Sequence, residues 1–226
     1  MKNIAVILAG GIGSRVGGNI PKQLLPLADG RSVLEHAVWA FAEEACIDEV
    51  CVVMHPDYLP YAEAIQRGCE KLKTITVGGK ERWESSVHAI EAYRATLSEA
   101  EWADSNILLH DAARPFVSHA IIQSVCEALK THSAVTVAVP ATDTIYRVEV
   151  GQLREIPDRK TMMRAQTPQA FRLPLIAEAY DRALSDPHLQ ATDDCGILFK
   201  YMSEEPIFVV QGEETNKKIT FKEDLR

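Results

Sequence analysis

The sequence lacks the long apolar segments that membrane proteins carry. None of its hydrophobic runs approaches the roughly 20 residues that a membrane-spanning helix requires. The chain passes from Met1-Lys2-Asn3 directly into a strand-like segment at residues 4–8, and this start has no signal-peptide pattern. We therefore expect a soluble, cytoplasmic protein that does not contact a membrane.

A cysteine framework is also missing. The five cysteines are odd in number and include no Cys-x-x-Cys pair, and most of them lie inside apolar stretches. This usage argues against a disulfide-stabilised fold and against a zinc site. We expect reduced, buried thiols at all five positions, which are Cys46, Cys51, Cys69, Cys126 and Cys195.

Positive charge is scarce as well. Lys and Arg number 24 against 32 Asp and Glu, which gives a formal net charge of −8. Binding along a nucleic-acid backbone requires a broad basic face, so we expect no nucleic-acid partner. An acidic protein can still bind a phosphorylated small molecule if a few cations converge in one cleft. The informative cations are therefore those next to glycine-rich turns.

What remains is an alternation of short apolar runs with longer stretches of helical period. This pattern is typical of a doubly wound, mostly parallel, Rossmann-like α/β sheet, and 226 residues suffice for one domain over the whole chain. The predicted strands cover residues 4–9, 49–54, 74–77, 106–110, 134–139 and 207–211. The predicted helices cover residues 32–45, 58–71, 82–95, 120–131, 173–184 and 193–201.

The regular alternation breaks between residues 142 and 159. Two short alternating runs, residues 144–148 and 152–156, flank the turn Glu149-Val150-Gly151. Short alternating runs around a glycine-containing turn predict a β-hairpin. We expect this arm, at about residues 142–159, to project from the main sheet and to suit a dimer contact.

A glycine-rich segment, residues 8–15, follows the first predicted strand directly. Its glycines let backbone amides approach an anion closely. The segment is not the dinucleotide fingerprint, because a G-x-G-x-x-G frame started at Gly11 ends on Val16, and it is not a P-loop. We expect Arg15, and Lys22 in the following Pro21-Lys22-Gln23, to flank bound phosphates. The alternative for the segment alone is a turn without a ligand.

A second glycine-rich segment, residues 78–85, lies between a predicted strand and a predicted helix. Its backbone amides lie near a helix N-terminus, which suits polar or anionic groups. The alternative is a simple turn followed by a polar helix start.

Polar residues also follow the fourth predicted strand, in the segment His110-Asp111-Ala112-Ala113-Arg114-Pro115. Ligands of open α/β sheets bind at the carboxyl ends of strands, so these residues are expected to point into the cleft. Asp111 could hold Mg²⁺, which prefers one or two carboxylates together with substrate phosphates. We interpret His110 as a structural histidine.

The last third of the chain carries weaker signals. Asp158-Arg159 precedes Gln166-Thr167-Pro168-Gln169, and Thr192-Asp193-Asp194 opens a predicted helix. An N-cap at Thr192 with two acids in the first turn is a sufficient structural explanation of that triplet. Lys217-Lys218 follows the last predicted strand, where a pair of solvated charges is the alternative to a binding role.

Taken in order along residues 4–225, these segments resemble the family that includes 2-C-methyl-D-erythritol 4-phosphate cytidylyltransferase and ribitol-5-phosphate cytidylyltransferase. The resemblance depends on the ordered set, since no single motif is specific. The motifs are Ala9-Gly10-Gly11-x-Gly13-x-Arg15, Pro21-Lys22-Gln23, Gly78-Gly79-x-x-Arg82-x-x-Ser85, His110-Asp111-Ala112-Ala113-Arg114-Pro115, Asp158-Arg159, Gln166-Thr167-Pro168-Gln169, Thr192-Asp193-Asp194 and Asn216-x-Lys218-x-Thr220.

The resemblance implies a nucleotidyltransferase fold, CTP as the donor, Mg²⁺ as the metal and a homodimer built with the arm. Four residues match the family's catalytic set: the transition-state stabilisers Arg15 and Lys22, and the acceptor-phosphate ligands Arg159 and Lys218. The positions that match the CTP site are Leu8, Ala9, Gly10, Gly11, Gly13, Gly79, Lys80, Arg82 and Ser85. The positions that match the acceptor site are Asp111, which also matches the metal position, Arg114, Arg159, Thr167, Thr192 and Lys218.

The residue inventory agrees with that chemistry. An acceptor phosphate is largely dianionic at neutral pH, so its attack on a phosphoryl group needs positioning and cations but no general base. Three hypotheses remain open: the methylerythritol acceptor, the ribitol acceptor, and a non-catalytic nucleotide-binding protein on the same fold. Whether Lys217 or Lys218 reaches the phosphate, and whether Arg159 serves its own or the partner subunit's site, also stay open.

Overall fold

A computed structural model describes residues 1–11 and 20–225 of the chain. The strands in this part are β1 (Lys2–Ala9), β2 (Glu49–Met54), β3 (Leu72–Val77), β4 (Ser105–Asp111), β5 (Ala134–Pro140), β6 (Arg147–Glu149), β7 (Gln152–Glu155), β8 (Met163–Arg172) and β9 (Phe208–Gln211). Seven of them form one sheet in the order β3-β2-β1-β4-β8-β5-β9, and β6 pairs with β7 alone. Neighbours in the large sheet are parallel except where β8 pairs with β4 and β5.

Helices cover both faces of this sheet. They are α1 (Val33–Ala42), α2 (Leu59–Gln66), α3 (Arg82–Thr96), α4 (Glu99–Ala103), α5 (His119–Ala128), α6 (Leu173–Leu184) and α7 (Asp194–Tyr201). Along β1, Ile4 and Val6 pack in one buried cluster with residues of α3, α6 and α7, whereas Ala5 and Ile7 pack in another with α1, α2 and α5. Successive strand residues point to opposite faces, so a strand covered on both faces is apolar throughout. The doubly wound α/β fold predicted from the sequence is confirmed.

Helix starts follow from local capping. Ser32 precedes α1, and its hydroxyl accepts a hydrogen bond from the Glu35 amide, while Glu35 accepts one from the Ser32 amide in return. Such a capping box satisfies donors that a helix start otherwise leaves unpaired. The predicted helix starts lie close to the observed ones. The observed helices α1, α2 and α5 end several residues before their predicted ends.

β8 lies outside the strands predicted from the sequence. Its residues MRAQTPQAFR contain Pro168 and two glutamines instead of an apolar run. The register against β5 shifts between Thr136, which pairs with Gln169, and Val137, which pairs with Gln166. Thr167 and Pro168 therefore lie outside the ladder with β5, and such an irregularity accommodates a residue that has no amide hydrogen.

The predicted arm is present as the antiparallel pair β6–β7. Every residue of both strands is exposed, and the turn between them includes Val150 with a positive φ of 50° and Gly151 with one of 73°. The arm carries exposed apolar side chains, with Val148 and Leu153 more than half exposed. An isolated hairpin of this kind has little stability of its own.

All five cysteines are free thiols, and three of them are buried, while Cys46 and Cys195 are partly buried. Within residues 1–11 and 20–225, no helix combines the length and apolar character needed to cross a membrane.

Candidate active site

A cavity of about 220 Å³ opens at the carboxyl ends of β1 and β4. From β1 the chain builds the sheet toward β2 and β3 on one side and then returns to add β4 on the other. Such a reversal of strand order leaves a crevice where ligands of open α/β sheets bind. The cavity is lined by Leu8, Ala9, Gly10, Gly11, Lys22, Gln23, Gly79, Lys80, Glu81, Arg82, Ser85, Asp111, Ala112, Ala113 and Lys218.

The two glycine-rich segments meet at this cavity. A Cβ on Gly10 would lie 2.9 Å from Ser85 Oγ and 3.2 Å from Gly78 Cα, and a Cβ on Gly78 would lie 2.8 Å from Gly10 Cα. Only glycine at both positions allows the two backbones to approach this closely. The buried Ser85 hydroxyl accepts a hydrogen bond from the Gly79 amide at 3.1 Å, which fixes the second loop.

Of the residues predicted to bind CTP, those within the described part all line the cavity: Leu8, Ala9, Gly10, Gly11, Gly79, Lys80, Arg82 and Ser85. Gly13 and the predicted catalytic residue Arg15 lie outside the described residues.

Gln23 fixes the start of the first loop. Its side chain is buried, and Nε2 donates to the carbonyl oxygens of Ala9 at 2.8 Å and Gly11 at 2.6 Å. The sequence motif Pro21-Lys22-Gln23 pointed to Lys22 alone. Because two carbonyls of the loop share one amide donor, Gln23 holds the chain as it leaves β1.

Within the part of the chain that the structure describes, four cationic side chains converge on the cavity, Lys22, Lys80, Arg82 and Lys218. Lys22 Nζ donates to the Ile219 carbonyl at 2.7 Å, so the segment after β1 and the segment after β9 are tied together. Both predicted catalytic lysines, Lys22 and Lys218, therefore line the same cavity, although they are 196 residues apart in the sequence.

Asp111 ends β4 at the centre of these charges. Its Oδ1 accepts from Arg82 Nε at 2.8 Å, and its Oδ2 accepts from Lys218 Nζ at 2.8 Å. Burial by itself would raise the pKa of Asp111, but the charges of Arg82 and Lys218 outweigh it and hold the pKa of this carboxyl well below its usual range. Asp111 is therefore ionised at any physiological pH.

A second buried carboxylate, Asp194, reaches the same arginine. Its Oδ2 accepts from Arg82 Nη1 at 2.6 Å, and its Oδ1 accepts from the Tyr180 hydroxyl at 2.6 Å. The sequence interpretation of residues 192–194 placed the N-cap one residue too early. The N-cap of α7 is Asp193, whose Oδ1 accepts from the Gly196 amide at 2.8 Å. Asp194 lies in the first turn as predicted, but it is fully buried and forms an ion pair there.

His110 is a structural histidine, as the sequence indicated. Its Nε2 lies 3.0 Å from the Arg114 carbonyl, which can only accept, so Nε2 carries the proton. Burial lowers the pKa of His110 to about 4, so the ring is neutral at pH 7 and its Nδ1 accepts from the Thr167 hydroxyl at 3.0 Å. Thr167 in turn accepts from the Asp111 amide at 3.1 Å. This chain of bonds fixes the end of β4.

Two other predicted acceptor residues take part in the scaffold around the cavity. Thr167 is buried and does not line the cavity, whereas Arg114 is partly exposed and donates to the Asn216 carbonyl at 2.7 Å. The Asn216 amide is buried and donates to Gln166 Oε1 at 3.1 Å and to the Thr167 carbonyl at 2.9 Å. Asn216 therefore joins the bulge of β8 to the segment that carries Lys218.

Three positions with open or predicted roles lie away from this cavity in the described residues. Arg159 is exposed at the base of the arm, and its Nη1 donates to the Thr142 carbonyl at 3.0 Å. Thr192 is exposed ahead of α7. Lys217 points to Asp224, with 3.6 Å between Nζ and Oδ1, so Lys218 is the lysine of the pair that faces the cavity.

Known proteins are similar in sequence over nearly the whole of this chain. A relative from Thermobifida fusca (strain YX), named 2-C-methyl-D-erythritol 4-phosphate cytidylyltransferase, is 43% identical over 229 residues, which cover 98% of this chain and 89% of the relative. A bifunctional ribulose 5-phosphate reductase/CDP-ribitol pyrophosphorylase from Haemophilus influenzae is 38% identical over 99% of this chain, which corresponds to 47% of that longer protein.

The fold matches solved structures as well. The 4-diphosphocytidyl-2C-methyl-D-erythritol synthase from Anaerococcus prevotii DSM 20548 superimposes with a TM-score of 0.83 at 27% identity and covers 99% of this chain and 94% of its own. The family model described as 2-C-methyl-D-erythritol 4-phosphate cytidylyltransferase matches residues 3–226. With its switch-point cavity, paired glycine loops and converging cations, the chain belongs to the 2-C-methyl-D-erythritol 4-phosphate cytidylyltransferase family of nucleotidyltransferases.

Proposed function

We propose that this protein transfers the cytidylyl group of CTP to the phosphate of 2-C-methyl-D-erythritol 4-phosphate and releases pyrophosphate. The observation that carries the proposal is the cavity itself, where Lys22, Lys80, Arg82 and Lys218 converge around the contact between two glycine-rich loops. A site built from backbone amides and cations suits a triphosphate and a second phosphate ester. The family match over residues 3–226 supports the choice of substrates.

In the proposed reaction, an oxygen of the acceptor phosphate attacks the α-phosphorus of CTP. The bond from that phosphorus to the oxygen bridging the α- and β-phosphates breaks, and pyrophosphate leaves with the electron pair. The acceptor phosphate has its second pKa near 6, so it needs no general base at neutral pH. The protein has to align two polyanions and to neutralise the charge that develops on the α-phosphoryl group and the leaving group.

We assign this neutralisation to Lys22, with Arg15 as a further cation from residues that the structure does not describe, and we assign the positioning of the acceptor phosphate to Lys218. Lys22 and Lys218 approach the cavity from opposite ends of the chain, and Lys218 Nζ now lies 2.8 Å from Asp111 Oδ2. On the donor side, the amides of the two glycine loops, Lys80 and Arg82 would hold the nucleotide. Ser85 would act by fixing the second loop, since its hydroxyl already accepts a hydrogen bond from the Gly79 amide at 3.1 Å.

We also propose Mg²⁺ as the metal. The described residues contain no group of three or more His, Cys, Asp or Glu side chains placed to bind an ion, and Asp111 and Glu81 are the carboxylates among the cavity-lining residues. This donor set suits an ion that keeps phosphate and water ligands and takes only one or two carboxylates, which is the preference of Mg²⁺. Asp111 is the residue that we expect nearest to it, and the ion would supply charge neutralisation on the triphosphate.

The acceptor side involves a second subunit in our proposal. Asp111 lines the cavity and Arg114 and Thr167 support it, whereas Thr192 lies away from it ahead of α7 and Arg159 sits at the base of the exposed arm. A symmetric dimer formed through the arms would cover their apolar side chains and could bring Arg159 to the partner's acceptor phosphate. We regard residues 1–226 as a single domain with this arm at about 142–159, and we propose that it works in the cytoplasm on two soluble substrates.

Ribitol 5-phosphate is the second candidate acceptor. The similarity to the Haemophilus influenzae protein, whose name includes a CDP-ribitol pyrophosphorylase activity, favours it at 38% identity. Both acceptors present a terminal phosphate on a short polyol, so the same phosphate ligands would serve either one.

Pyrophosphate release from CTP and Mg²⁺ decides between these possibilities. Parallel reactions would contain 2-C-methyl-D-erythritol 4-phosphate, ribitol 5-phosphate or no acceptor. We expect the first to give a kcat/KM at least about 100-fold above the second, since binding sites that hydrogen-bond substrate hydroxyls discriminate strongly. Preference for ribitol 5-phosphate would reassign the acceptor, and CTP binding without release in any reaction would support a non-catalytic protein.

A further inference from the structure

The side chain of Arg82 is held by carboxylates on two sides. Its Nε donates to Asp111 Oδ1 at 2.8 Å, and its Nη1 donates to Asp194 Oδ2 at 2.6 Å. The third nitrogen, Nη2, is buried and has no acceptor among the described residues. A buried donor without an acceptor is costly, and Arg82 lines the adjoining cavity, so a ligand that binds beside the guanidinium can satisfy Nη2.

Asp194 is itself fixed from two directions. Its side chain is fully buried, and its second oxygen accepts from the Tyr180 hydroxyl of α6 at 2.6 Å. Its backbone amide donates at 2.9 Å to Oε1 of Gln169, a residue of β8. The carboxylate therefore has one position relative to the sheet, and that position sets where Nη1 of Arg82 can lie.

Charge ties the arginine to this carboxylate. Among the described residues, Arg82 is the cation that pairs with Asp194, and a buried carboxylate that loses its partner is strongly destabilised. Turning Arg82 toward solvent would leave the buried Asp194 carboxylate without its cationic partner. Lys218, Asp111, Arg82 and Asp194 thus form a row of alternating charges, from the half-exposed lysine to the fully buried carboxylate.

We propose that Asp194, braced by Tyr180, is a positioning residue for the nucleotide: it holds Arg82 so that Nη2 donates a hydrogen bond to CTP. Asp194 does not line the cavity and would not touch either substrate. The proposal rests on the proposed function, because it assigns the ligand of the cavity as CTP. A long side chain that is already fixed loses less freedom on binding, so the pair would strengthen CTP binding by preorganisation.

Isothermal titration calorimetry of CTP with the full-length protein tests the proposal without an acceptor. Asp194→Asn keeps the shape and the Tyr180 contact but removes the charge and turns an amide toward Arg82. We expect its Kd for CTP to rise about tenfold or more. The matched control is Asp181→Asn, which breaks an ion pair of the same type between α6 and Arg94 on the surface and should change the Kd by less than about twofold.

A double-mutant cycle separates positioning from general weakening of the fold. If Asp194 acts through Arg82, adding Asp194→Asn to Arg82→Gln should change the CTP Kd by less than about twofold beyond Arg82→Gln alone. Effects that multiply instead would overturn the proposal, as would a folded Asp194→Asn protein with the wild-type Kd. In turnover assays, KM for CTP should rise more than kcat falls.

Tyr180→Phe provides a second route if Asp194→Asn does not fold. It leaves the Asp194–Arg82 pair in place and removes the brace, and we expect the CTP Kd to rise about threefold. An unchanged Kd in this variant would contradict the bracing role. Failure of the wild-type protein to bind CTP would instead refute the proposed function, so the two failures are distinguishable.

Discussion

The cavity and the arm are built on opposite principles. Around the cavity, polar and charged side chains such as Asp111, Asp194 and Gln23 are buried, and each has partners supplied by other elements of the same chain. On the arm, apolar side chains such as Val148 and Leu153 are exposed. The buried polar groups around the cavity are paired within the chain apart from a few atoms such as Arg82 Nη2, whereas an exposed apolar hairpin gains stability only by being covered. One chain thus contains a cavity whose walls are held by its own side chains and an arm whose apolar side chains are left exposed.

The comparison predicts the largest single effect at the cavity. Lys218→Ala should lower kcat/KM at least about 100-fold, because it removes the cation that we propose to position the acceptor phosphate for attack. Lys217→Ala is the matched control: this neighbour is exposed and faces Asp224, so we expect less than a twofold change. Steady-state pyrophosphate release measures both. Equal losses in the two variants would mean that the cavity does not distinguish the lysines.

The arm should govern assembly without governing the fold. Val148 and Leu153 are cross-strand partners, each more than half exposed. We expect Val148→Asp with Leu153→Asp to convert a dimer to a 25.0 kDa monomer in sedimentation velocity and to reduce activity more than about tenfold. The melting temperature should hold within about 3 °C, because surface substitutions away from the core change stability little.

Leu184→Asp, on α6 and 50% exposed, controls for an added surface charge and should remain dimeric. A wild-type protein that sediments as a monomer would remove the arm from the mechanism.

Mixing two inactive variants tests whether the arm of one subunit supplies Arg159 to the partner subunit's site. In a symmetric dimer that shares Arg159 across subunits, a heterodimer of Lys22→Ala and Arg159→Ala contains one site with neither substitution. Random exchange should therefore restore about a quarter of wild-type activity. The mixture would stay inactive if Arg159 served the site of its own chain, and each variant alone provides the baseline.

The last prediction concerns the stability of the scaffold around the cavity and its dependence on pH. The folded pKa of His110, about 4, lies below its ordinary value of 6.5, so the unfolded chain binds more protons between these limits. His110 therefore makes its full contribution to the free energy of unfolding above pH 6.5. That free energy falls by up to about 3 kcal/mol as the pH decreases to about 4.

Urea unfolding across this range should show a shallower decline for His110→Gln than for the wild type. The exposed His188→Gln should retain the wild-type slope. Identical slopes in all three proteins would show that His110 is not held in its neutral form.

Much of the fold follows from local sequence, because strands covered on both faces are continuous apolar runs. β1, β2 and β4 could be placed within a few residues on this basis. β8 could not, since its polar residues and Pro168 face partners from β4, β5 and the segment around Asn216, all distant in sequence.

The candidate site divides in the same way. Glycine loops and a carboxylate at the end of a strand have local signatures, so the cavity residues Gly10, Gly79 and Asp111 were predicted. The pairing of Arg82 with Asp194 spans 112 positions and has no local signature, so Asp194 resembled an ordinary first-turn acid. The choice between Lys217 and Lys218 likewise depends on which side of the chain faces Asp111.

The contact between Gly10 and Gly78 has a consequence for genetics. A Cβ at Gly78 would lie 2.8 Å from Gly10 Cα, and one at Gly10 would lie 3.2 Å from Gly78 Cα, so a side chain at either position crowds the backbone of the other. The destabilisation caused by an oversized core residue can often be suppressed by a smaller residue opposite it. Here the residue opposite is already glycine, so no smaller residue can replace it. A screen for second-site revertants of Gly78→Ala should therefore recover true reversion at the mutated codon and no compensating change at Gly10.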